Sequence, residues 1–207
     1  MVSRGSLLDF QDFLRSRRSV RRFRPDPIPP EILDRILETT CWAPSAHNRQ
    51  PWRLVVLASP AVRMEMAERM GAEYRQDLQK DGMNAEEIET VVKRSLDRIM
   101  SAPAAILLCA DVSIGDHYAD PERQLAEQFM GAQGVALAGG TLLLAAHAEG
   151  IGGVWMCAPL FAQEVIREVL NLPESWRPQA LILLGHPLDI PNPRPRQPLS
   201  EVVRYVR

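Results

Sequence analysis

The chain has 207 residues and a mass of 23.2 kDa, with 46% hydrophobic and 24% charged residues, which is typical of one globular domain. Its 24 basic and 26 acidic residues leave a net charge of −2, which argues against a general nucleic-acid or membrane-surface binder. The three cysteines, Cys41, Cys109 and Cys157, lack C-x-x-C spacing, so we expect no disulfide framework, no metal site and a cytoplasmic location.

The first half of the chain predicts short helices separated by a proline-rich connector. Residues 1–10 contain no apolar run of signal-peptide length. Residues 6–9 resemble a capping box that opens a short helix with Leu7, Phe10 and Leu14 on one face. Several prolines before position 30 predict an extended segment, and Pro30 suits the first turn of the next helix. That helix should end before Pro44, because a residue that precedes proline disfavours helical backbone. A loop then leads into an apolar strand at 53–57.

The second half predicts alternating helices and buried strands. Two charge-rich helices span about residues 61–100, and the apolar run at 104–110 predicts a buried strand. A long helix runs from about Pro121 to Glu149. Three shorter elements follow: a strand at 152–156, a helix at 160–170 and a strand at 179–184. Five prolines beyond Gly185 predict an extended tail.

The long helix needs comparison with a membrane span. Residues 131–148 carry no charge, and their length lies at the lower limit for crossing a bilayer. Glycines and polar side chains within the segment disfavour insertion, and charged residues continue the helix on both sides. The pattern favours a buried core or interface helix and no membrane partner.

Residues 17–23, with the sequence RRSVRRF, are the first segment that could carry chemistry. Closely spaced arginines can surround a phosphate, because each planar guanidinium makes two parallel hydrogen bonds and the serine hydroxyl adds another. On spacing alone, a solvated basic face at the end of a helix is the favoured interpretation. A nucleic-acid contact is disfavoured, because no aromatic residues are interleaved and the net charge is acidic.

The second such segment is the loop at 43–52, with the sequence APSAHNRQPW. Ser45, Asn48 and Gln50 could read the edge of a polar heterocycle, or they could serve local turn geometry. His47 has no neighbouring carboxylate in the sequence to orient it as a general base. The chain contains no G-x-S-x-G, H-E-x-x-H, P-loop or G-x-G-x-x-G motif, so neither a serine hydrolase nor a classical dinucleotide fold is supported.

These two segments, about twenty residues apart, closely resemble the nitroreductase family of FMN-dependent oxidoreductases. The likeness continues through the Ala/Gly-rich long helix, residues 150–155 (GIGGVW) and Gly185-His186-Pro187. The motifs occur in order over nearly the whole chain, so the resemblance is specific at family level. It implies an α+β fold, a nitroreductase-like α/β/α sandwich with a mixed central sheet, formed by one FMN-binding domain at 1–207. It also implies a domain-swapped homodimer.

The resemblance implies a set of residues around the FMN phosphate, ribityl chain and ring edge. They are Arg17, Arg18, Ser19 and Arg21. Arg194 and Arg196 match the late basic residues of the family, which close on the same phosphate.

The resemblance also places residues around the flavin ring. Ser45 and Asn48 match a loop that crosses to the flavin from the second subunit. Met156, Cys157 and Ala158 match the backbone that passes the N5 side of the ring.

The activity implied is a ping-pong reaction in which NADH or NADPH reduces FMN and a small organic acceptor then takes the electrons. The acceptor would be a nitroaromatic, a quinone or a conjugated ene. No catalytic side chain is expected, because the cofactor carries the chemistry. The helices at about 61–100 would form a lid, and the tail at about 187–207 would form an arm around the partner subunit.

Alternatives stay open within and beyond this family. Residues 158–161, 165–167 and 172–178 look similar to the nitroreductase-like domain fused to the glutamate ligase of deazaflavin (F-420) coenzyme biosynthesis, which reduces a dehydro precursor. The chain lacks the ligase part, and its loop at 45–48 is closer to the general family pattern. Flavin-cleaving and dehalogenating branches share the RRSVR motif. A flavin-binding protein without turnover is the alternative from another class.

Overall fold

The structure is a computed structural model, and it describes residues 4–206. Arg207, the last residue of the predicted arm, and residues 1–3 lie outside the described part. The helices are α1 (Arg4–Ser16), α2 (Pro30–Thr40), α3 (Pro60–Lys80), α4 (Ala85–Ser101), α5 (Pro121–Ala148), α6 (Gln163–Leu170) and α7 (Leu199–Val202). The strands are β1 (Trp52–Val56), β2 (Ala104–Asp111), β3 (Gly152–Met156) and β4 (Trp176–Gly185).

The four strands form one sheet in the order β1-β2-β4-β3, and every neighbouring pair is antiparallel. The expected mixed sheet is corrected in this respect: in the part of the chain described, parallel pairing is confined to the isolated bridge between Ser19 and Gly153. The physical reason at β1 and β2 is the connection between them. Helices α3 and α4 form a hairpin, so the chain re-enters the sheet in the opposite direction.

Helices cover both faces of the sheet, which confirms the α/β/α sandwich. Alternate residues of β2 point to opposite faces, as the pleat of a strand requires. Ile106 and Leu108 pack with α2 and α5 in one core. Leu107 and Cys109 pack with α3, α4 and α6 in the other.

Helix α5 is long and apolar enough to cross a membrane by length and composition, and it is the one such helix in the described part. Val135, Ala138 and Leu142 are fully buried against the sheet. Gly139 is needed at this contact, because a Cβ on it would collide with the Trp155 ring and with Leu108. The packing therefore agrees with the predicted core helix, although one side of α5 remains exposed.

Candidate functional site

The arginine-rich residues 17–24, here called the arginine connector, cross the end of the sheet where β3 begins and β4 ends. The Val20 amide donates to the Gly153 carbonyl at 3.0 Å, and the Arg24 amide donates to the His186 carbonyl at 2.9 Å. The Leu188 amide donates to the Arg22 carbonyl at 3.0 Å. These backbone bonds fix the connector without using any guanidinium group, so the arginine side chains remain free for other partners.

Two glycines allow the connector to lie this close to the sheet. A Cβ on Gly152 would lie 2.9 Å from the Val20 side chain, and one on Gly185 would lie 2.9 Å from Phe23. Real Cβ atoms do not approach other atoms so closely, so a side chain at either position would displace the connector. The glycine segments in the family resemblance thus have a local structural cause.

The connector collects positive charge that carboxylates neutralise only in part. Arg22 pairs with Asp189 at 2.9 Å, whereas Arg17, Arg18 and Arg21 have no acidic partner among residues 4–206. Arg18 donates to the carbonyl oxygens of Arg15 at 2.6 Å and Arg17 at 2.9 Å. Three guanidinium groups on one short segment favour an anionic ligand.

His147, at the end of α5, marks where the first two arginines lie. Burial is the largest factor that lowers the pKa of His147, and the charges of Arg17 and Arg18 lower it further. Its Nε2 lies 2.7 Å from the Ser16 hydroxyl, and its ring stacks on Phe13 with centroids 4.9 Å apart. No local sequence pattern predicts a role for His147, because its neighbours Phe13 and Ser16 lie near the opposite end of the chain.

The loop at 43–51 has an unusual backbone that presents polar side chains. His47, Asn48 and Gln50 have φ of 52°, 53° and 51°, in the left-handed region that residues other than glycine occupy uncommonly. The Ser45 hydroxyl accepts a hydrogen bond from the backbone N–H of Gln50 at 2.9 Å. The Asn48 side-chain oxygen accepts one from the side-chain Nε2 of Gln50 at 3.3 Å. Ser45 and Asn48 therefore hold the turn, and Asn48 remains exposed.

Arg49 ties this loop to the rest of the molecule. Its guanidinium pairs with the buried carboxylate of Glu127 on α5 and, at 2.5 Å, with Asp116. The hydrogen bond from Arg49 is the largest factor that lowers the pKa of Asp116. Sequence reasoning did not identify this ion-pair cluster, whose members lie far apart in the chain.

A single chain does not bring the loop and the arginine connector together. The loop packs near Gly134, where an added Cβ would lie 3.5 Å from the Ser45 side chain. Arg17 and Arg18 lie near His147, which is 13 positions further along the same helix. That spacing corresponds to roughly 20 Å along the helix axis. Ser45 thus lies near the middle of α5, away from the end that carries His147.

Met156, Cys157 and Ala158 lie at the far end of the strand that the connector crosses. Met156 is the last residue of β3, about 10 Å along the strand from the Ser19–Gly153 bridge. Cys157 is exposed, and its sulfur accepts from the Trp155 ring nitrogen at 3.1 Å. The connector and this segment therefore share one edge of the sheet.

A groove opens next to this segment. It is lined by α3, α4 and residues near Ala158, and its volume is about 790 Å³. The two helices are those predicted at about 61–100. Arg94 and Arg98 on α4 line the groove, and sequence reasoning did not single them out.

Arg194 and Arg196 lie elsewhere, on the exposed tail. The Arg196 guanidinium donates to the Arg194 carbonyl at 3.2 Å and the Pro195 carbonyl at 3.4 Å. These hydrogen bonds stay within the tail, so the structure of one chain does not bring the two arginines to the connector.

The cysteines are all free, and none forms a nucleophilic centre with a base. Cys109 is buried in β2, and burial raises the pKa of its thiol to about 12. A thiolate at that position would be disfavoured at neutral pH.

Comparison with known proteins identifies the family. The model of the nitroreductase family matches residues 14–186. A Thermus thermophilus protein named NADH dehydrogenase is 33% identical over 210 residues, which cover 96% of this chain and 97% of the relative. A Rhodobacter capsulatus 5,6-dimethylbenzimidazole synthase is 32% identical over 180 residues, covering 85% of this chain and 82% of that one.

A solved structure shows the same fold. It is a protein from Desulfovibrio desulfuricans, classed as a nitroreductase and crystallised in complex with FMN. It is 25% identical, with a TM-score of 0.71 over 95% of this chain and 96% of that chain. The matched family model spans the arginine connector, the polar loop and the glycine segments, and the chain belongs to the nitroreductase family.

Proposed function

We propose that this chain is an FMN-dependent oxidoreductase that takes electrons from NADH or NADPH and passes them to a small organic acceptor. The observation that carries the proposal is the arginine connector, whose backbone is fixed by the sheet while three guanidinium groups lack carboxylate partners. Support also comes from the FMN complex of the Desulfovibrio relative and the name NADH dehydrogenase of the Thermus relative.

The donor set of the connector fits FMN. A phosphate monoester carries close to two negative charges at neutral pH, and it accepts several hydrogen bonds. Arg17 is half-buried and makes no ion pair with the described residues, and Arg18 and Arg21 are bonded only to carbonyl oxygens. Burial is the main cause of the lowered pKa of His147, and the charges of Arg17 and Arg18, which a phosphate would neutralise, lower that pKa further.

When bound, FMN would supply the electron-transfer chemistry, and the chain would hold and orient it. Arg17, Arg18 and Ser19 would hold the phosphate, and Arg21 would approach the ring edge. The exposed backbone at 156–158 would line the reactive side of the ring, next to the groove. Both substrates would use that groove in turn, which is the physical basis of the expected ping-pong kinetics.

We propose further that the working unit is a homodimer. Ser45 lies near the middle of α5, roughly 20 Å along the helix from His147 and the arginines of the same chain, so a partner subunit would supply Ser45 and Asn48 to each flavin. Arg194 and Arg196 would reach the phosphate on a tail that embraces the partner. The exposed apolar tail residues agree with such an arm: Ile190, Leu199, Val202, Tyr205 and Val206.

Anaerobic reduction tests the function. The purified protein should be yellow, its flavin absorbance should bleach on addition of NADH or NADPH, and the colour should return with a quinone or nitroaromatic. A protein that binds FMN but is not reduced would instead be a flavin-binding protein without turnover. A protein that takes up no FMN would contradict both readings.

The similarity to 5,6-dimethylbenzimidazole synthase favours a second candidate function, the synthesis of 5,6-dimethylbenzimidazole. The two candidates share the FMN site, so flavin binding does not separate them. Incubation of the reduced protein with FMN in air, followed by chromatography and mass spectrometry, would reveal 5,6-dimethylbenzimidazole if this candidate is correct. The deazaflavin reading stays a prediction, and it requires the dehydro precursor to gain two mass units on incubation with the reduced protein.

A further inference from the structure

The groove between α3 and α4 has a chemical polarity that binding of FMN does not explain. Asp77, Lys80 and Asp81 lie at the tip of the helix hairpin, where α3 ends. Arg94 and Arg98 line the groove from the C-terminal half of α4, which lies toward the sheet. The tip of the groove therefore carries charges of both signs with an excess of carboxylates, whereas the end nearer the sheet is positively charged.

The two arginines lie one turn apart on the same side of α4. Residues four apart on a helix are neighbours, and two like charges in that arrangement destabilise an isolated helix. Neither arginine has a salt-bridge partner among residues 4–206, although the two other arginines on these helices that reach solvent are paired, Arg69 with Glu168 and Arg75 with Glu89. Arg98 lies in the last turn, where the helix dipole favours a cation. Arg94 lies one turn earlier, where this stabilisation by the dipole has fallen off.

A third arginine adds to this positive region. Burial lowers the pKa of Arg98 most, and the nearby charges of Arg21 and Arg94 lower it further. Arg21 therefore lies close enough to Arg98, at the basic end of the groove, for the two charges to interact. Ala158, on the segment expected to pass the flavin ring, lines the same groove.

From this geometry we infer that Arg94 and Arg98 form an anion subsite for a carboxylate or phosphate of the substrate that occupies the groove. The inference rests on the proposed function for its assignment of the groove to substrates. It adds a substrate class: a molecule with a reducible or reducing part next to Ala158 and an anionic group several ångströms away. The anionic group belongs either to the acceptor or to the nicotinamide nucleotide, and paired probes distinguish the two.

The experiment compares charged and uncharged probes on the wild-type protein and on the double variant Arg94→Gln/Arg98→Gln. The probes are 4-nitrobenzoate with 4-nitrobenzamide, and NADP⁺ with NAD⁺, titrated by calorimetry onto protein supplied with FMN. Charge-assisted hydrogen bonds predict that the variant loses about tenfold affinity for the more anionic probe of one pair. The affinity for its less anionic counterpart should stay within about twofold, a change worth less than 0.5 kcal/mol at about 0.6 kcal/mol per RT.

Lys93→Gln is the matched control. Lys93 is the residue before Arg94, pairs with Asp97 at 2.6 Å and does not line the groove, so its loss removes one charge from the same helix without changing the subsite. A selective loss with 4-nitrobenzoate assigns the subsite to the acceptor, and a selective loss with NADP⁺ assigns it to the reductant. Equal losses for both members of each pair, or no loss in the double variant, would overturn the inference. Because calorimetry does not require turnover, a failure of the proposed activity would be seen separately, as an absence of flavin bleaching.

Discussion

Gly152 lies directly beneath Val20, and a Cβ on the glycine would lie 2.9 Å from both Cβ and Cγ2 of the valine. It would also lie 3.0 Å from Pro187, at the start of the C-terminal segment. One hydrogen atom in place of a methyl group thus allows the arginine connector to dock on the sheet edge.

The substitution Gly152→Ala tests this dependence. We expect it to lower the free energy of unfolding by about 1–3 kcal/mol, because overpacking forces the backbone to move, and to weaken FMN binding as the arginines shift. Urea unfolding and FMN titration measure the two effects. Gly131→Ala is the control, since its added Cβ meets nothing within 4 Å. Wild-type stability together with wild-type FMN affinity in Gly152→Ala would show that the connector tolerates displacement.

Arg17→Ala tests the phosphate role of the connector. Loss of a charge-assisted contact should weaken FMN binding about tenfold or more, while the far-ultraviolet circular dichroism remains that of the wild type. Arg15→Ala is the matched control, because Arg15 is exposed on α1 and makes only a 3.7 Å pair with Asp12. Full retention of stoichiometric flavin by Arg17→Ala would contradict the assignment.

His147 predicts a pH dependence of stability. Its pKa in the folded chain is lowered from 6.5 by burial and by Arg17 and Arg18, so the unfolded chain takes up a proton first as the pH falls. Stability is therefore retained above pH 6.5 and lost as the pH falls from there through the lowered pKa.

The measurement is urea unfolding of FMN-free wild-type protein and His147→Gln at a series of pH values between about 5 and 8. The variant should lose less free energy of unfolding on acidification than the wild type does. Added FMN should reduce the difference, because its phosphate would offset the charges of Arg17 and Arg18. Parallel pH profiles for the two proteins would show that His147 does not cause the pH dependence of the free energy of unfolding.

The elements of the fold could be read from the sequence where local signals were strong. Helix α5 was predicted at 121–149 and is found at Pro121–Ala148, because proline starts it and glycine follows its end. Strand β4 begins at Trp176, three residues before the predicted start. Pro178 made a strand at 176–178 hard to predict, since proline disfavours strand interiors. It is accommodated where the register with β2 shifts between Leu108 and Cys109.

The candidate site was only partly readable, for a different reason. The connector and the polar loop are contiguous motifs, so the family resemblance located them. Other candidate site residues could not be found in this way, because the neighbours that suggest their roles are distant in the chain. They are Arg94, Arg98 and His147. No local pattern shows that Arg21 lies near Arg98 or that Arg17 lies near His147. Such long-range proximity is set by tertiary packing.

The exposed face of α5 predicts the oligomeric state. Leu125, Phe129 and Leu137 are 53%, 59% and 48% exposed on a helix whose other side is buried in the core. Several large apolar side chains exposed along one helix favour an interaction site. The proposed second subunit would cover this face, and its loop would bring Ser45 and Asn48 to the flavin.

Sedimentation of the wild-type protein should therefore give twice the chain mass of 23.2 kDa. Leu137→Glu should shift the protein toward the monomer, because a carboxylate buried in an apolar interface is strongly disfavoured. It should also lower FMN affinity, since the residues from the partner are lost. Val62→Glu is the control, because Val62 is 37% exposed on α3, away from this face. A wild-type protein that sediments as a monomer and still binds FMN with full affinity would mean that one chain completes the site, and Ser45 and Asn48 would then have no role in binding the flavin.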